Sequence, residues 1–125
     1  MSKQLMEVVL PRLARPLYRH LNRYQNGKLS DSQFVKRFES LLKEQHDWLA
    51  ARGVAEARAA LAIHAAVLIL SAPGLRAEAL REKIPLELVE QKALRDAAAD
   101  LARNYGVNER RAADRIARIL AKYAD

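Results

Sequence analysis

The stretch AALAIHAAVLILSA, residues 59–72, decides the fold of this chain, because it is apolar on nearly every side of a helix. A helix that is apolar all round has to be buried at the centre of its protein. Fourteen helical residues extend about 21 Å, which is shorter than the roughly 30 Å hydrocarbon layer of a membrane. The stretch therefore predicts a central core helix and no transmembrane segment.

The composition of the 125 residues favours helices. Half of the residues are hydrophobic, 30% are charged, and only 4 Gly and 4 Pro occur, which is typical of helical proteins. The length predicts a single helical domain over residues 1–125. The absence of Cys excludes disulfides, a thiolate nucleophile and a zinc finger. Because residues 1–15 carry charges where a signal peptide needs a continuous apolar run, we expect a cytoplasmic protein.

Turn and cap residues divide the chain into about six predicted helices. Asn26-Gly27 ends the first helix, and Gly106 ends the fifth. Pro11 and Pro16 fall in the first helix, so it is either kinked at Pro16 or regular only from about Pro11. The predicted ranges are 11–25 (or from a turn or two earlier), 30–53, 54–71, 75–84, 85–105 and 109–123.

The fold class that these helices predict is an all-α, compact bundle with one apolar central helix. Ser30 and Gln33 form a capping box at the start of the second helix. The apolar residues of this helix recur at intervals of seven, so one side of it should be buried. We expect the second helix to pack against the central helix through Phe34, Phe38, Leu41 and Trp48.

The net charge of +7 is concentrated in the first quarter of the chain. Residues 1–30 hold six basic residues and one acidic residue, which accounts for five of the seven excess charges. Four arginines there are spaced by three, four and four residues, so they share an arc of about 80° on a helix. These four, which we call the first ridge, are Arg12, Arg15, Arg19 and Arg23. No acid between Glu7 and Asp31 can pair with them locally, so the first ridge predicts a surface for a polyanion or an acidic protein, with a solvated helix face as the alternative.

The segment LARNYGVNERRAADRIARIL, residues 101–120, resembles the core of a bacterial helix-turn-helix regulator. Gly106 lies at the turn, Asn108 caps the next helix, and Ala112 and Ile116 take inward positions. The resemblance implies that the helix from Glu109 is a recognition helix, and it favours DNA over RNA as the bound nucleic acid. Its outer side, within about 60°, carries the second ridge, which consists of Arg111, Arg115, Arg118 and Lys122. A terminal amphipathic helix that closes the bundle after a glycine corner explains the same residues.

No pattern of catalytic residues accompanies the two ridges. The sequence lacks a nucleophile elbow and a Gly-rich phosphate loop, and the histidines His20, His46 and His64 lack metal-ligand spacing. The sequence therefore predicts a non-enzymatic protein with no metal and no cofactor. His64 lies within the apolar helix, where we expect a neutral, buried imidazole bonded to an acceptor, with a role in a ligand pocket as the alternative.

The two ridges together predict a nucleic-acid-binding protein that contacts phosphates through one or both of them. The main alternative is a helical protein-interaction module whose basic face meets an acidic partner, as a homodimer formed through a partly covered amphipathic helix. A third interpretation is peripheral binding of the first helix to anionic lipid.

Overall fold

A computed structural model describes residues 3–123 of the chain and contains six α-helices joined by short connections. The helices are α1 (Lys3–Gln25), α2 (Asp31–Ala50), α3 (Glu56–Leu70), α4 (Ala72–Glu82), α5 (Leu86–Tyr105) and α6 (Glu109–Tyr123). No strand occurs within this range. The predicted all-α bundle of about six helices is therefore confirmed.

The helix α3 lies at the centre of the bundle and contacts each of the other five helices. Every residue from 59 to 66 is buried except His64, which is half-buried. Because alanine side chains are short, the neighbouring helices can pack close to the axis of α3. The side chains from Val67 to Leu70 are only half-buried. Burial of the predicted core helix is therefore complete only over residues 59–66, with His64 as the exception.

The helix α1 begins at Lys3 and continues through Pro11 and Pro16. Of the two predicted alternatives, the regular helix that starts only at Pro11 is therefore wrong. Each proline removes one backbone hydrogen bond of the helix. Burial of Met6, Val9 and Leu13, on both sides of Pro11, keeps the helix on the core in spite of these losses.

The predicted capping box at the start of α2 is confirmed. The hydroxyl oxygen of Ser30 accepts a hydrogen bond from the backbone N–H of Gln33 at 3.2 Å. The side-chain oxygen of Gln33 accepts one from the backbone N–H of Ser30 at 2.9 Å. Two N–H groups that a helix leaves without partners are therefore satisfied.

The packing of the apolar residues of α2 differs from the expectation. Phe34 stacks on His20 and Tyr24 of α1, with ring centroids 4.6 and 4.5 Å apart, and neither Phe34 nor Phe38 belongs to the central core. Trp48 packs half-buried against that core, and Leu41 is buried outside it. The period of seven identifies the apolar side of α2, but it does not reveal that α1 covers the first half of that side.

The helix α4 begins at Ala72, three residues before the predicted start, and ends at Glu82. Pro73 lies in its first turn, where the missing N–H has no helical acceptor to lose. The segment SAPG is therefore a corner between two helices. Lys83 ends α4 in the left-handed conformation, with φ of 56°. None of the described helices is long and apolar enough to cross a membrane by itself, and α3 with α4 meets that test only as a pair bent by 54°.

Gln45 of α2 is a polar residue inside the bundle. Its side chain is 4% exposed, and its amide nitrogen is buried without a hydrogen-bond partner among the described residues. A buried donor without a partner costs about 1–3 kcal/mol.

Replacement of Gln45 by Met keeps the length of the side chain and removes the unpaired donor. We expect Gln45→Met to raise the free energy of unfolding, measured by urea denaturation, by about 1 kcal/mol. The control is Gln91→Met on α5, an exposed position where the change should stay below about 0.5 kcal/mol. A loss of stability in Gln45→Met alone would show that the amide has a partner in solution.

Candidate nucleic-acid interface

The first ridge lies on the outer side of α1. Arg12, Arg15, Arg19 and Arg23 are all exposed. The opposite side of the helix faces the bundle. Leu13 and Leu17 are buried, and Leu10, Leu21 and Tyr24 are half-buried. The burial of this leucine side is what directs the four guanidinium groups outward.

Arg12 is held against an aromatic ring of the neighbouring helix. Its guanidinium carbon lies 4.0 Å from the centroid of Trp48, and that of Arg52 lies 3.4 Å from the same centroid. Arg52 also donates a hydrogen bond to the backbone carbonyl of Trp48 at 3.3 Å. Cation–π contacts of this kind order an arginine side chain without cancelling its charge. Arg52 was not predicted as a site residue. Its position four residues after Trp48, within the predicted range 30–53 of the second helix, is nevertheless a signal for such a contact.

Arg19 and Arg23 line a cleft between α1 and α2, together with Arg37. His20 forms part of this cleft, and its ring N–H donates to the carbonyl of Phe34 at 2.7 Å. This contact fixes α2 beside the ridge. Arg37 was not predicted as a site residue, because no local sequence pattern shows which residues of α2 face α1.

The second ridge lies on the outer side of α6. Arg111, Arg115, Arg118 and Lys122 are all exposed, whereas Ala112, Ile116 and Ile119 are buried. The helix follows Gly106, which has a φ of 67° and ends α5. The side-chain oxygen of Asn108 accepts a hydrogen bond from the backbone N–H of Arg111 at 3.0 Å, so the expected cap is present.

A cleft between α3 and α6, here called the α3–α6 cleft, includes two residues of the second ridge. Arg111 and Arg115 line it from α6, and Arg58 lines it from α3. Its volume is about 380 Å³. The floor is apolar and consists of Leu61, Leu101, Val107 and Ala112. Arg118 and Lys122 do not line it. Arg58 was not predicted, because it approaches α6 only through the packing of two distant helices.

The connection between α2 and α3 brings parts of both ridges to one end of the bundle. Arg52, which shares Trp48 with Arg12, precedes Ala55 by three residues, so their Cα atoms lie within about 11 Å. Ala55 lines the α3–α6 cleft beside Arg111. The connection thus lies beside Arg12 through Trp48 and beside the start of α6 through Ala55. Arg23 lies farther along α1, about 16 Å from Arg12.

None of the eight ridge residues forms an ion pair with a carboxylate in the part of the chain that the structure describes. Five ion pairs do form at other positions on the surface. Pairing of the first ridge with acids of later helices would neutralise it, and no such pair is present. The guanidinium groups therefore keep their full set of donors for an external anion.

The histidines take separate structural positions. His64 is half-buried, and its Nδ1–H donates to the carbonyl of Ala60 at 2.8 Å, so the predicted acceptor is confirmed and the predicted full burial is wrong. His20 is buried against Phe34. Within residues 3–123 no group of three or more His, Asp or Glu side chains is placed to hold a metal ion.

No family model, no curated protein and no solved structure matches this chain. Its function has to be inferred from its own residues.

His46 lines a cavity of about 520 Å³ between α2 and the start of α3. Its ring stacks on Tyr105 of α5, with centroids 6.3 Å apart. Burial lowers the pKa of His46 below the usual value of 6.5, and the charge of His64 acts in the same direction, while Glu56 and Asp47 oppose them. Folded His46 therefore binds its proton at a lower pH than it does in the unfolded chain.

This lowered pKa predicts a loss of stability in mild acid. As the pH falls below about 6.5, the unfolded chain binds a proton at His46 before the folded chain does, so the free energy of unfolding decreases. Urea denaturation between pH 8 and 5 should show this decrease, and His46→Gln should remove part of it. Loss of the contact with Tyr105 would shift the whole curve equally at every pH. Parallel curves for the two proteins would therefore contradict the lowered pKa.

Proposed function

We propose that this protein is a non-enzymatic, nucleic-acid-binding protein whose two basic ridges contact the phosphates of duplex DNA. The observation that carries the proposal is that eight basic residues share two exposed helix sides and that none of them forms an ion pair within the described part of the chain, where five other basic residues are paired. Unpaired, exposed basic groups gathered along two helix sides create a positive field that attracts a polyanion.

The dimensions of the first ridge support a duplex as the ligand. Arg12 and Arg23 are about 16 Å apart along α1, close to half of the roughly 34 Å helical turn of B-DNA. The contact of Arg12 with the ring of Trp48, which Arg52 also contacts, holds one end of the ridge in place. Pre-ordered side chains lose less conformational entropy when they bind.

The arrangement of α5, Gly106 and α6 supports a role for α6 as a recognition helix of a small bacterial regulator acting in the cytoplasm. A recognition helix packs its inner side on the domain and leaves a polar side free for the major groove. Ala112, Ile116 and Ile119 supply the inner side of α6, and the second ridge supplies the free side.

The first test replaces Arg12, Arg15, Arg19 and Arg23 with Gln and measures duplex binding by fluorescence anisotropy. If the ridge contacts about four phosphates, the logarithm of the wild-type association constant should fall with the logarithm of salt at a slope near −3.6, a loss of roughly 150-fold between about 50 and 200 mM. The quadruple variant should bind all duplexes more weakly and show a shallower slope, since fewer counterions are released.

The matched control removes the same charge from cations that are already paired, by replacement of Lys43, Arg81, Lys92 and Arg103 with Gln. It should keep most of the affinity, because the local ridge and not the net charge makes the contact. Equal losses in the two quadruple variants would refute a ridge-specific site. Absence of duplex binding tighter than about 10⁻⁴ M at physiological salt, with retention of an acidic protein that depends on the same four arginines, would favour the interaction module instead.

The second test concerns sequence preference. A bidentate arginine contact to guanine contributes about 1–3 kcal/mol of discrimination. We expect the double variant Arg111→Gln, Arg115→Gln to lose its preference within a pool of random duplexes, read by sequencing of the bound fraction. The control with the same loss of charge, Lys92→Gln with Arg103→Gln, should keep that preference. An unchanged preference in the first double variant would remove α6 as the recognition helix.

A further inference from the structure

The α3–α6 cleft has a composition that the two ridges do not explain. Arg58 belongs to neither ridge, yet it lines the same space as Arg111 and Arg115, above an apolar floor. The volume of about 380 Å³ lies within the range of sites that hold small organic molecules. We propose that this cleft binds a small organic phosphate, in which a phosphate monoester is attached to a compact apolar or aromatic body.

The electrostatics of the cleft call for an anion. No carboxylate lines it, and none of its three arginines forms an ion pair in the described part of the chain. Glu56, two residues before Arg58, lines the cavity beside His46 instead. Like charges that face one concave, partly apolar space repel each other. A bound anion converts this repulsion into attraction.

A phosphate monoester fits three arginines better than a carboxylate does. It has three terminal oxygens and close to two negative charges at neutral pH, so each guanidinium can bind an oxygen of its own. Arg111 and Arg115 approach from α6, and Arg58 approaches from α3, so the group is held from two sides. A carboxylate offers two oxygens and one negative charge, so it balances less of the charge of three guanidinium groups.

The start of α3 adds to the same positive field. Its N-cap is Ala55, which has no side-chain acceptor for the first N–H groups of the helix. Ala55 and Ala57 both line the cleft, so the positive end of the helix dipole faces the ligand. In α6, by contrast, Asn108 already accepts from the N–H of Arg111.

The floor of the cleft sets the second requirement on the ligand. Leu61, Leu101 and Ala112 are buried core residues that close the bottom of the cleft, and the apolar surface that stays open to a ligand belongs to Ala55, Ala57 and Val107. A backbone phosphate of a duplex carries only its deoxyribose into such a space and leaves the apolar floor uncovered. A free phosphate monoester with an apolar or aromatic body covers the open apolar surface of Ala55, Ala57 and Val107, and the removal of that surface from water favours binding.

The site goes beyond the proposed DNA binding and does not depend on it. One consequence rests on both: because Arg111 and Arg115 belong to the cleft and to the second ridge, the small phosphate would compete with duplex DNA for them. Occupation of the cleft would then release the recognition helix from DNA.

Adenosine 5′-monophosphate is a suitable probe, since it carries a phosphate monoester on a compact aromatic body. We expect isothermal titration calorimetry of the full chain to detect its binding, with adenosine alone and inorganic phosphate alone each binding at least about tenfold more weakly. Arg58→Gln and, separately, Arg115→Gln should each weaken the nucleotide at least about tenfold. The control is Arg76→Gln on α4, an exposed arginine without a described ion pair, which should bind as the wild type does. Circular dichroism checks that each variant is folded.

Two results would overturn the proposal. One is the absence of nucleotide binding at millimolar concentration, or an equal loss of affinity in Arg58→Gln and Arg76→Gln. The other is a shift of the arginine Nε–H resonances of Arg58 and Arg111 on addition of a DNA duplex but not of the nucleotide, which would assign Arg58 to the DNA surface. Failure of the salt experiment on duplex binding leaves the calorimetry of the nucleotide unchanged, so the two proposals fail separately.

Discussion

The burial of residues 59–66 of α3, where His64 alone is half-buried, is the constraint on which the rest of the structure depends. Alanine occupies five of the eight positions from 59 to 66, and its short side chain lets the surrounding helices come close. Each of these helices has to turn an apolar stripe toward α3 or toward the layer beside it. On α1 and α6 the stripe occupies the inner side, so the arginines have only the outer side left. The basic surface is therefore a direct result of how the core is built.

The features that the sequence predicts correctly depend on residues three or four positions apart. The capping box of α2 joins Ser30 to Gln33, and the exposed faces of both ridges follow from helical spacing alone. Contacts between distant segments carry no such signal. The stacking of Phe34 on His20 and the approach of Arg58 to α6 are set by which helices become neighbours. The start of α4 differs from the predicted start for another reason. A helix accepts proline in its first turn, so α4 begins before Pro73 and not after it.

Charge is distributed unevenly between the helices of this bundle. The five ion pairs lie on α2, α4, α5 and their ends, and four of them join residues one to four positions apart. Exposed pairs of this kind contribute only about 0–1 kcal/mol to stability, so their main effect is to cancel the field of those helices. Trp48 has the opposite effect on Arg12, since an aromatic ring restrains the guanidinium and leaves its charge intact. Within the described part of the chain, unpaired basic residues are thus gathered into ridges on the sides of α1 and α6, while single ones, such as Arg76 of α4, occur elsewhere.

Pro11 and Pro16 divide α1 into segments that are held in different ways. Neither residue can donate a backbone hydrogen bond, so the carbonyls of Glu7 and Arg12 lack their usual helical partner. The segment before Pro11 is joined to the rest of α1 by fewer backbone bonds and is kept in place chiefly by Met6 and Val9, whose side chains are fully buried. Because Met6 and Val9 belong to the core, opening of that segment would expose apolar surface. A segment that packing holds more than backbone bonds do therefore adjoins the first ridge, where a bound partner would restrain it.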